Sequence, residues 1–253
     1  MDVGLPSARA YFRFYAELND HLPSNEQYQT LERMLSAPGA VKDMIESFGV
    51  PHTEIELIIA NGHSVDFSHL VRDGDRIAVY PVFESLDITS ELRVRPQALR
   101  DPKFVLDVHL GKLTAYLRML GFDAVYSNSS RDADLVRISV TDRRILLTRD
   151  RGLLKQSAVT HGYWLRQTDS RRQLAEIARR FDLVGAIRPF TRCMACNGRL
   201  QSVLKEQVRS LLPPRTAELH EEFQQCTQCD RIYWKGSHYA RMQRWIEELT
   251  RSA

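Results

Sequence analysis

The sequence has no long hydrophobic run and few cysteines, and both scarcities limit the kinds of protein it can be. No stretch approaches the roughly 18 apolar residues that a membrane helix requires, and the first residues lack the basic-then-apolar order of a secretion signal. We therefore expect a cytoplasmic protein that does not bind membranes. With 43% hydrophobic and 26% charged residues and no low-complexity tract, the composition is that of a folded globular protein.

A strong excess of one charge is also lacking. The net charge of +3 is too small to indicate a nucleic-acid partner by itself. Basic residues are nevertheless concentrated after position 90, for example in the pairs Arg143-Arg144 and Arg171-Arg172, whereas the N-terminal third is comparatively acidic. This distribution favours a polyanionic partner for the C-terminal two-thirds only weakly, because solvated helix faces would account for each cluster equally well.

The four cysteines all lie in two Cys-x-x-Cys pairs, Cys193 with Cys196 and Cys226 with Cys229. Two such pairs bring four thiolates within reach of one tetrahedral ion, which is the closed site of a structural zinc ribbon. A redox pair or idle thiols would account for one pair but not for a matched second. The sequence therefore predicts a zinc ribbon with a terminal helix over residues 189–253.

Residues 1–85 show the pattern of a small sheet domain. Alternating aromatic residues predict a strand at 11–15, an apolar stripe predicts a helix at 41–48, and further strands are predicted at 55–60 and 76–82 beside an Asn-Gly hairpin turn. This order of elements resembles the ubiquitin-like β-grasp fold of the small sulfur carriers. The Gly-Gly end that carriers need is absent, so we expect a docking or specificity role toward a protein partner, with a purely structural role as the alternative.

Residues 86–103 follow neither a helical nor a strand period and include two prolines, which predicts a linker. Over residues 104–188, short apolar strands alternate with amphipathic helices, and strands are predicted at 104–107, 124–127 and 144–148. Strands that alternate with helices are typical of a parallel sheet covered on both faces. The predicted fold class is therefore α/β for this central domain.

Two of these predicted strands lead into an aspartate, Asp107 and Asp150, and Asp134 lies near the start of the helix between them. Because ligands collect at the carboxyl ends of parallel strands, we expect the three carboxylates to converge. Clustered carboxylates repel one another unless a cation lies between them, and such oxygen ligands suit Mg²⁺ or Mn²⁺, which can activate water at a phosphodiester. The alternative makes Asp132 or Asp134 a helix cap and Asp150 a turn residue before Arg151-Gly152.

The stretches FVLDVHLGKLTAYLRMLGFDAVYSN and DADLVRISVTDRRILLTRD, together with the ribbon, resemble the PIN-fold ribonuclease family named after the Mut-seven C-terminal domain. The order of β-grasp domain, nuclease domain and ribbon resembles one bacterial architecture of that family. The resemblance implies that Asp107, Asp134 and Asp150 are catalytic metal ligands and that RNA is the substrate. PIN nucleases often use a fourth acid, for which Asp132 is the closest candidate here.

Four basic residues lie closest in sequence to these acids and are expected to hold phosphates, unless they are ordinary surface charge: Lys112, Arg118, Arg149 and Arg151. Two functions follow. The first is a metal-dependent ribonuclease, and the second is a non-catalytic RNA or ribonucleoprotein adaptor that keeps the fold without a complete metal site. Because all the proposed ligands lie after residue 86, we expect the reaction not to require the N-terminal domain.

Overall fold

The structure is a computed structural model that describes residues 8–81 and 102–252. The predicted linker at 86–103 lies almost entirely outside the described residues. In the part of the chain that is described, no helix is long and apolar enough to cross a membrane. The chain forms two compact units, one of Met1–Arg100 with Asp150–Trp164 and one of Asp101–Arg149 with Leu165–Ala253.

The strands and α-helices are connected by turns and by short 3-10 helices. In chain order, the strands are β1 (Arg9–Phe14), β2 (Thr30–Met34), β3 (Gly39–Ala40), β4 (Ile55–Ala60), β5 (His63–Val65), β6 (Leu70–Val71), β7 (Arg76–Pro81), β8 (Phe104–Leu106), β9 (Ala124–Tyr126), β10 (Ile145–Thr148), β11 (Gly162–Trp164), β12 (Leu200–Val203), β13 (Phe223–Cys226) and β14 (Ile232–Trp234). The helices are α1 (Val41–Ser47), α2 (Gly111–Met119), α3 (Asp132–Thr141), α4 (Arg151–Leu154), α5 (Ser170–Arg180), α6 (Lys205–Val208), α7 (Pro214–Leu219) and α8 (Ser237–Ser252).

The first unit contains the N-terminal sheet domain that the sequence predicts. Its sheet has the strand order β2-β1-β7-β4-β5, in which β1 and β7 are parallel and the other neighbours are antiparallel. Alternate residues of β1 are buried with residues of α1 and β4, as shown by Phe12, Ile45 and Ile58 at 0% exposure. Asn61 and Gly62 have φ values of 52° and 88°, as the predicted two-residue hairpin turn requires.

Strand β2 was not predicted from the sequence. It pairs antiparallel with β1, from Arg9 opposite Met34 to Arg13 opposite Thr30. Leu31 is its one buried residue, and Met34 is 58% exposed, so β2 lacks the alternation of apolar and polar residues that identifies a half-buried strand.

The second unit contains a parallel α/β sheet, as predicted. Within this unit, strands of the sheet run in the order β10-β8-β9, and both of these pairings are parallel. All three residues of β8 are fully buried, in agreement with the continuous apolar run at Phe104–Leu106. Helices α2 and α5 contact each other in this unit. Asp107 follows directly after β8, which lies between β10 and β9.

The three ribbon strands form a separate antiparallel sheet in the order β12-β13-β14. Helix α7 starts at Pro214, so the Pro213-Pro214 pair separates it from α6. The last helix, α8, packs Trp245 edge-on against Tyr116 of α2, with ring centroids 4.6 Å apart. The ribbon and the α/β sheet therefore belong to one compact unit.

We expect Gly121→Ala to destabilise the protein, because a Cβ there would lie 2.1 Å from the Arg188 carbonyl oxygen and φ is +95°. The left-handed conformation alone costs an alanine about 1–2 kcal/mol, before any steric cost. Thermal unfolding measures the loss. Gly185→Ala, whose Cβ would meet no atom within 4 Å, is the control and should change the free energy of unfolding by less than about 0.5 kcal/mol. Equal melting temperatures would contradict the close approach at Gly121.

Candidate functional site

The four cysteines of the two predicted pairs come together in the ribbon. Their sulfur atoms all lie within 4.8 Å of one another. The Sγ–Sγ distances are 3.6 Å between Cys193 and Cys229 and 3.3 Å between Cys196 and Cys226. Four sulfurs around a zinc ion at about 2.3 Å lie about 3.8 Å apart. The donor set and its spacing therefore fit a tetrahedral zinc ion.

Tight turns after the cysteines aim backbone donors at the sulfur atoms. The N–H groups of Gly198 and Gln228 each donate to a cysteine sulfur two residues earlier, at 3.4 Å. A Cβ at position 198 would lie 2.7 Å from Cys226 Sγ, so a glycine is required where the first turn approaches the second cysteine pair. These donors stabilise the thiolate form that binds metal.

Tyr233, on β14, donates its hydroxyl to Cys193 Sγ at 3.1 Å. Burial opposes ionisation of Cys193, but hydrogen bonds from Tyr233 and from the backbone N–H groups of Cys196 and Ala195 outweigh it and lower the thiol pKa to about 6. Burial, together with the neighbouring Cys193, raises the pKa of Tyr233, so this hydroxyl remains a donor. Tyr233 therefore supports the cysteine site from outside it.

Arg118 connects the first cysteine pair to the α/β sheet. It is 5% exposed and donates to three backbone carbonyls, those of Ala124, Met194 and Ala195, at 2.9, 3.1 and 2.7 Å. Burial lowers its pKa, which the nearby thiols and Asp123 oppose. The sequence suggested a phosphate contact for Arg118, but its guanidinium donates to these three carbonyls inside the second unit.

Asp107 and Asp150 each follow a strand, as predicted. Asp107 comes directly after β8, and its Oδ2 accepts a hydrogen bond of 2.8 Å from Thr148 Oγ1, at the end of β10. Asp150 follows β10 by two residues and caps α4, with its Oδ1 accepting from Gly152 N–H at 2.7 Å. Thr148 is fully buried. Its hydrogen bond to Asp107 was not predicted, although its hydroxyl lies within the LLTRD motif.

Asp134 lies in the first turn of α3 and is 35% exposed. Its carboxylate is 3.5 Å from Arg131 Nε and 3.6 Å from Arg137 Nη2. Desolvation opposes ionisation, but the backbone N–H and guanidinium of Arg131, assisted by Arg137, together outweigh it and lower the pKa of Asp134. Asp132, the candidate for a fourth acid, is exposed in the same turn.

The remaining basic residues differ in their surroundings. Lys112 is exposed on α2. The backbone N–H of Arg172 is the main cause that lowers the pKa of Asp169, and the charge of Lys112 contributes. Arg149 is exposed between Thr148 and Asp150. Arg151 is exposed as well, but its Nη1 donates to the carbonyl of His21 at 3.0 Å. Lys112, Arg149 and Arg151 are therefore all exposed, whereas Arg118 is buried.

A groove of about 1050 Å³ lies between the ribbon and α8. Tyr233, Trp234 and Tyr239 line it, and Trp234 is 37% exposed. Lys235 and Glu222 also line the groove and form an ion pair with each other. Because Glu221 and Glu247 also line the groove, its charge does not favour a polyanion.

Within the described ranges, one group of at least three His, Cys, Asp or Glu side chains has its ligand atoms close enough to hold a metal ion, and it consists of the four cysteines.

Comparison with protein families gives two matches. A family model described as the Mut7-C RNAse domain matches residues 102–246, and one described as Mut7-C ubiquitin matches residues 7–87. Searches of curated proteins and of solved structures found no significant match.

We expect the purified protein to contain about one zinc ion per chain, because four thiolates form a closed tetrahedral site. Cys226→Ser should lose the metal and lower the melting temperature, since zinc binding also stabilises the ribbon. Elemental analysis of reduced protein measures the content. Ser202→Ala, on the exposed side of β12, is the control and should retain the ion. Wild-type protein that folds without zinc would contradict the assignment.

Proposed function

Because the chain belongs to the Mut7-C RNase family, we propose that it hydrolyses RNA phosphodiester bonds, with Mg²⁺ or Mn²⁺ held by Asp107, Asp134 and Asp150 as in PIN-type nucleases. The observation that carries the proposal is the hydrogen bond between Thr148 at the end of β10 and Asp107 after β8. It joins two neighbouring parallel strands at their carboxyl ends, where ligands of such sheets bind.

Two features of the side chains around these acids support the proposal. Asp107 and Asp150 are each oriented by a hydrogen bond, from Thr148 Oγ1 and from Gly152 N–H. Asp134 is held ionised by its arginines, and both arginines are largely exposed, at 86% and 67%, so their weak ion pairs can give way to a cation. When bound, Mg²⁺ or Mn²⁺ would activate a water molecule and stabilise charge on the phosphodiester.

The substrate contacts in this proposal come from Lys112, Arg149 and Arg151, which neutralise phosphate groups while the acids hold the cation. Arg118 has no part in them because it is buried against backbone carbonyls. The structural zinc ion stabilises the ribbon, and the reaction uses the second, hard metal ion.

An RNA-binding adaptor without catalytic activity is the second candidate. The observation that favours it is the pairing of Asp134 with Arg131 and Arg137, which a metal ligand would have to exchange for the cation. The two functions differ in one measurable respect: the adaptor binds RNA, but no divalent ion makes it cleave.

We expect wild-type protein to cleave RNA with Mg²⁺ or Mn²⁺, and Asp107→Asn and Asp150→Asn each to lower kcat by at least about 100-fold, because a charged ligand is lost. Without added metal, Asp107→Asn should melt slightly higher, since it relieves repulsion between carboxylates. The assay is cleavage of labelled single-stranded and structured RNAs after dialysis into metal-free buffer.

Because strong chelators can also remove zinc, the zinc content of each sample must be measured beside its activity. Asp182→Asn, an exposed residue beyond α5, is the control and should retain wild-type activity. RNA binding without cleavage under every metal condition would support the adaptor. Cleavage that persists in Asp150→Asn without divalent ions would refute the proposed chemistry.

The basic residues should separate into two classes. Lys112→Ala and Arg149→Ala should weaken RNA binding. Each should also lower the slope of the salt dependence of RNA affinity by the equivalent of about one phosphate contact. Arg118→Ala should instead lower the melting temperature and the retention of zinc, since three carbonyls lose their donor. Salt titrations of RNA binding and thermal unfolding measure the two effects. A loss of RNA affinity in Arg118→Ala at unchanged stability would contradict this division.

A further inference from the structure

The segment Asp150–Trp164 lies within the match to the RNase domain but belongs to the same compact unit as the N-terminal domain. It begins with Asp150, continues through α4 and ends with β11. Leu154 and Val159 within it are fully buried. The segment that starts with a proposed metal ligand is therefore packed together with the ubiquitin-like part of the chain.

A buried glutamate of the N-terminal domain binds the far end of this segment. Glu54, in the 3-10 helix His52–Glu54, is 1% exposed. Its Oε1 accepts a hydrogen bond of 2.7 Å from the backbone N–H of Trp164, and its Oε2 lies 3.0 Å from His21 Nε2. A buried carboxylate is costly unless hydrogen bonds compensate it, and here both oxygens have partners.

His21 and Trp164 also contact Arg151, the residue after Asp150. His21 is also buried, and its ring lies 5.0 Å from that of Trp164. The carbonyl of His21 accepts from Arg151 Nη1 at 3.0 Å, and the Arg151 guanidinium lies 5.1 Å from the centre of the Trp164 ring. Glu54 thus orients His21 and Trp164, and these two residues hold Arg151, the neighbour of Asp150.

Two further contacts hold the middle of the segment. His52, 6% exposed, is hydrogen-bonded through Nε2 to the Val159 carbonyl at 2.8 Å and through Nδ1 to Glu46 at 2.6 Å. Lys155 Nζ donates to the carbonyl of Glu46 at 2.7 Å, near the end of α1, where a helix has unsatisfied carbonyls. The segment is therefore held along its length by polar groups.

We propose that the N-terminal ubiquitin-like domain positions Asp150, through Glu54, His21 and His52. The inference rests on the proposed role of Asp150 as a metal ligand. It reverses the expectation, drawn from position along the sequence, that the reaction does not require residues 1–85. In this proposal Glu54 is a positioning residue, because it acts on Asp150 through the segment and touches neither metal nor RNA.

The test uses the full chain with Glu54→Ala, which removes the acceptor for Trp164 N–H. We expect the Mn²⁺ concentration for half-maximal cleavage to rise by about tenfold or more, because a misplaced ligand weakens metal binding. The zinc content should remain unchanged, and hydrogen exchange at the Trp164 amide should accelerate by about tenfold or more. Glu32→Gln, which removes a carboxylate paired with Arg9 on the domain surface, is the matched control and should change none of these values.

If Glu54→Ala fails to fold, Lys155→Met provides a second variant that keeps the aliphatic length and loses one hydrogen bond to the Glu46 carbonyl. It should shift the Mn²⁺ requirement in the same direction by a smaller factor. An unchanged Mn²⁺ requirement in folded variants, despite faster exchange, would overturn the proposal. If wild-type protein neither cleaves RNA nor binds Mn²⁺, the proposed function fails instead. Faster exchange in Glu54→Ala would then establish only the packing of the segment.

Discussion

Hydrogen bonds to the carboxylate of Asp123 connect the parallel sheet of the second unit to the ribbon. Asp123 lies just before β9 and accepts hydrogen bonds from Arg144 at 2.7 Å, Asn197 at 2.8 Å and Arg192 at 3.3 Å. Arg144 precedes β10, whereas Arg192 and Asn197 flank the first cysteine pair. Although burial opposes ionisation of Asp123, these partners lower its pKa. One ionised group thereby joins two strands of the sheet to the zinc ribbon.

This joint makes the zinc ribbon a structural part of the α/β domain. The amide oxygen of Asn197 accepts from the N–H of Ala124, the first residue of β9, and Arg118 binds the carbonyls of Met194 and Ala195 within the first cysteine pair. Zinc bound by the four cysteines would therefore also order the acceptors on which the end of α2 and the start of β9 rely. Its binding would contribute to the free energy of folding of the unit.

Much of the fold could be predicted because its signals are local. Continuous apolar runs identified β8 and β10, and spacing alone identified the four cysteines. The burial of Arg118 had no such signal, because two of its acceptors lie 76 and 77 residues away. His52 and Glu54 were equally hidden, since their partners Val159 and Trp164 are 107 and 110 residues further along the chain. Local patterns identify strands and helices, but they do not show which polar groups are paired inside.

The contacts that could not be predicted are those that orient the proposed site. A buried carboxylate with polar partners is seldom more stabilising than apolar residues of the same volume, because desolvation offsets the attraction. Apolar side chains in place of both Glu54 and His21 could therefore supply similar stability, but they could not accept the N–H of Trp164. The Glu54 carboxylate fixes the orientation of its partners, since hydrogen bonds restrict angles that apolar packing leaves open. We infer that the polar contacts of the ubiquitin-like domain specify the geometry of the segment after Asp150 more than they add to its stability.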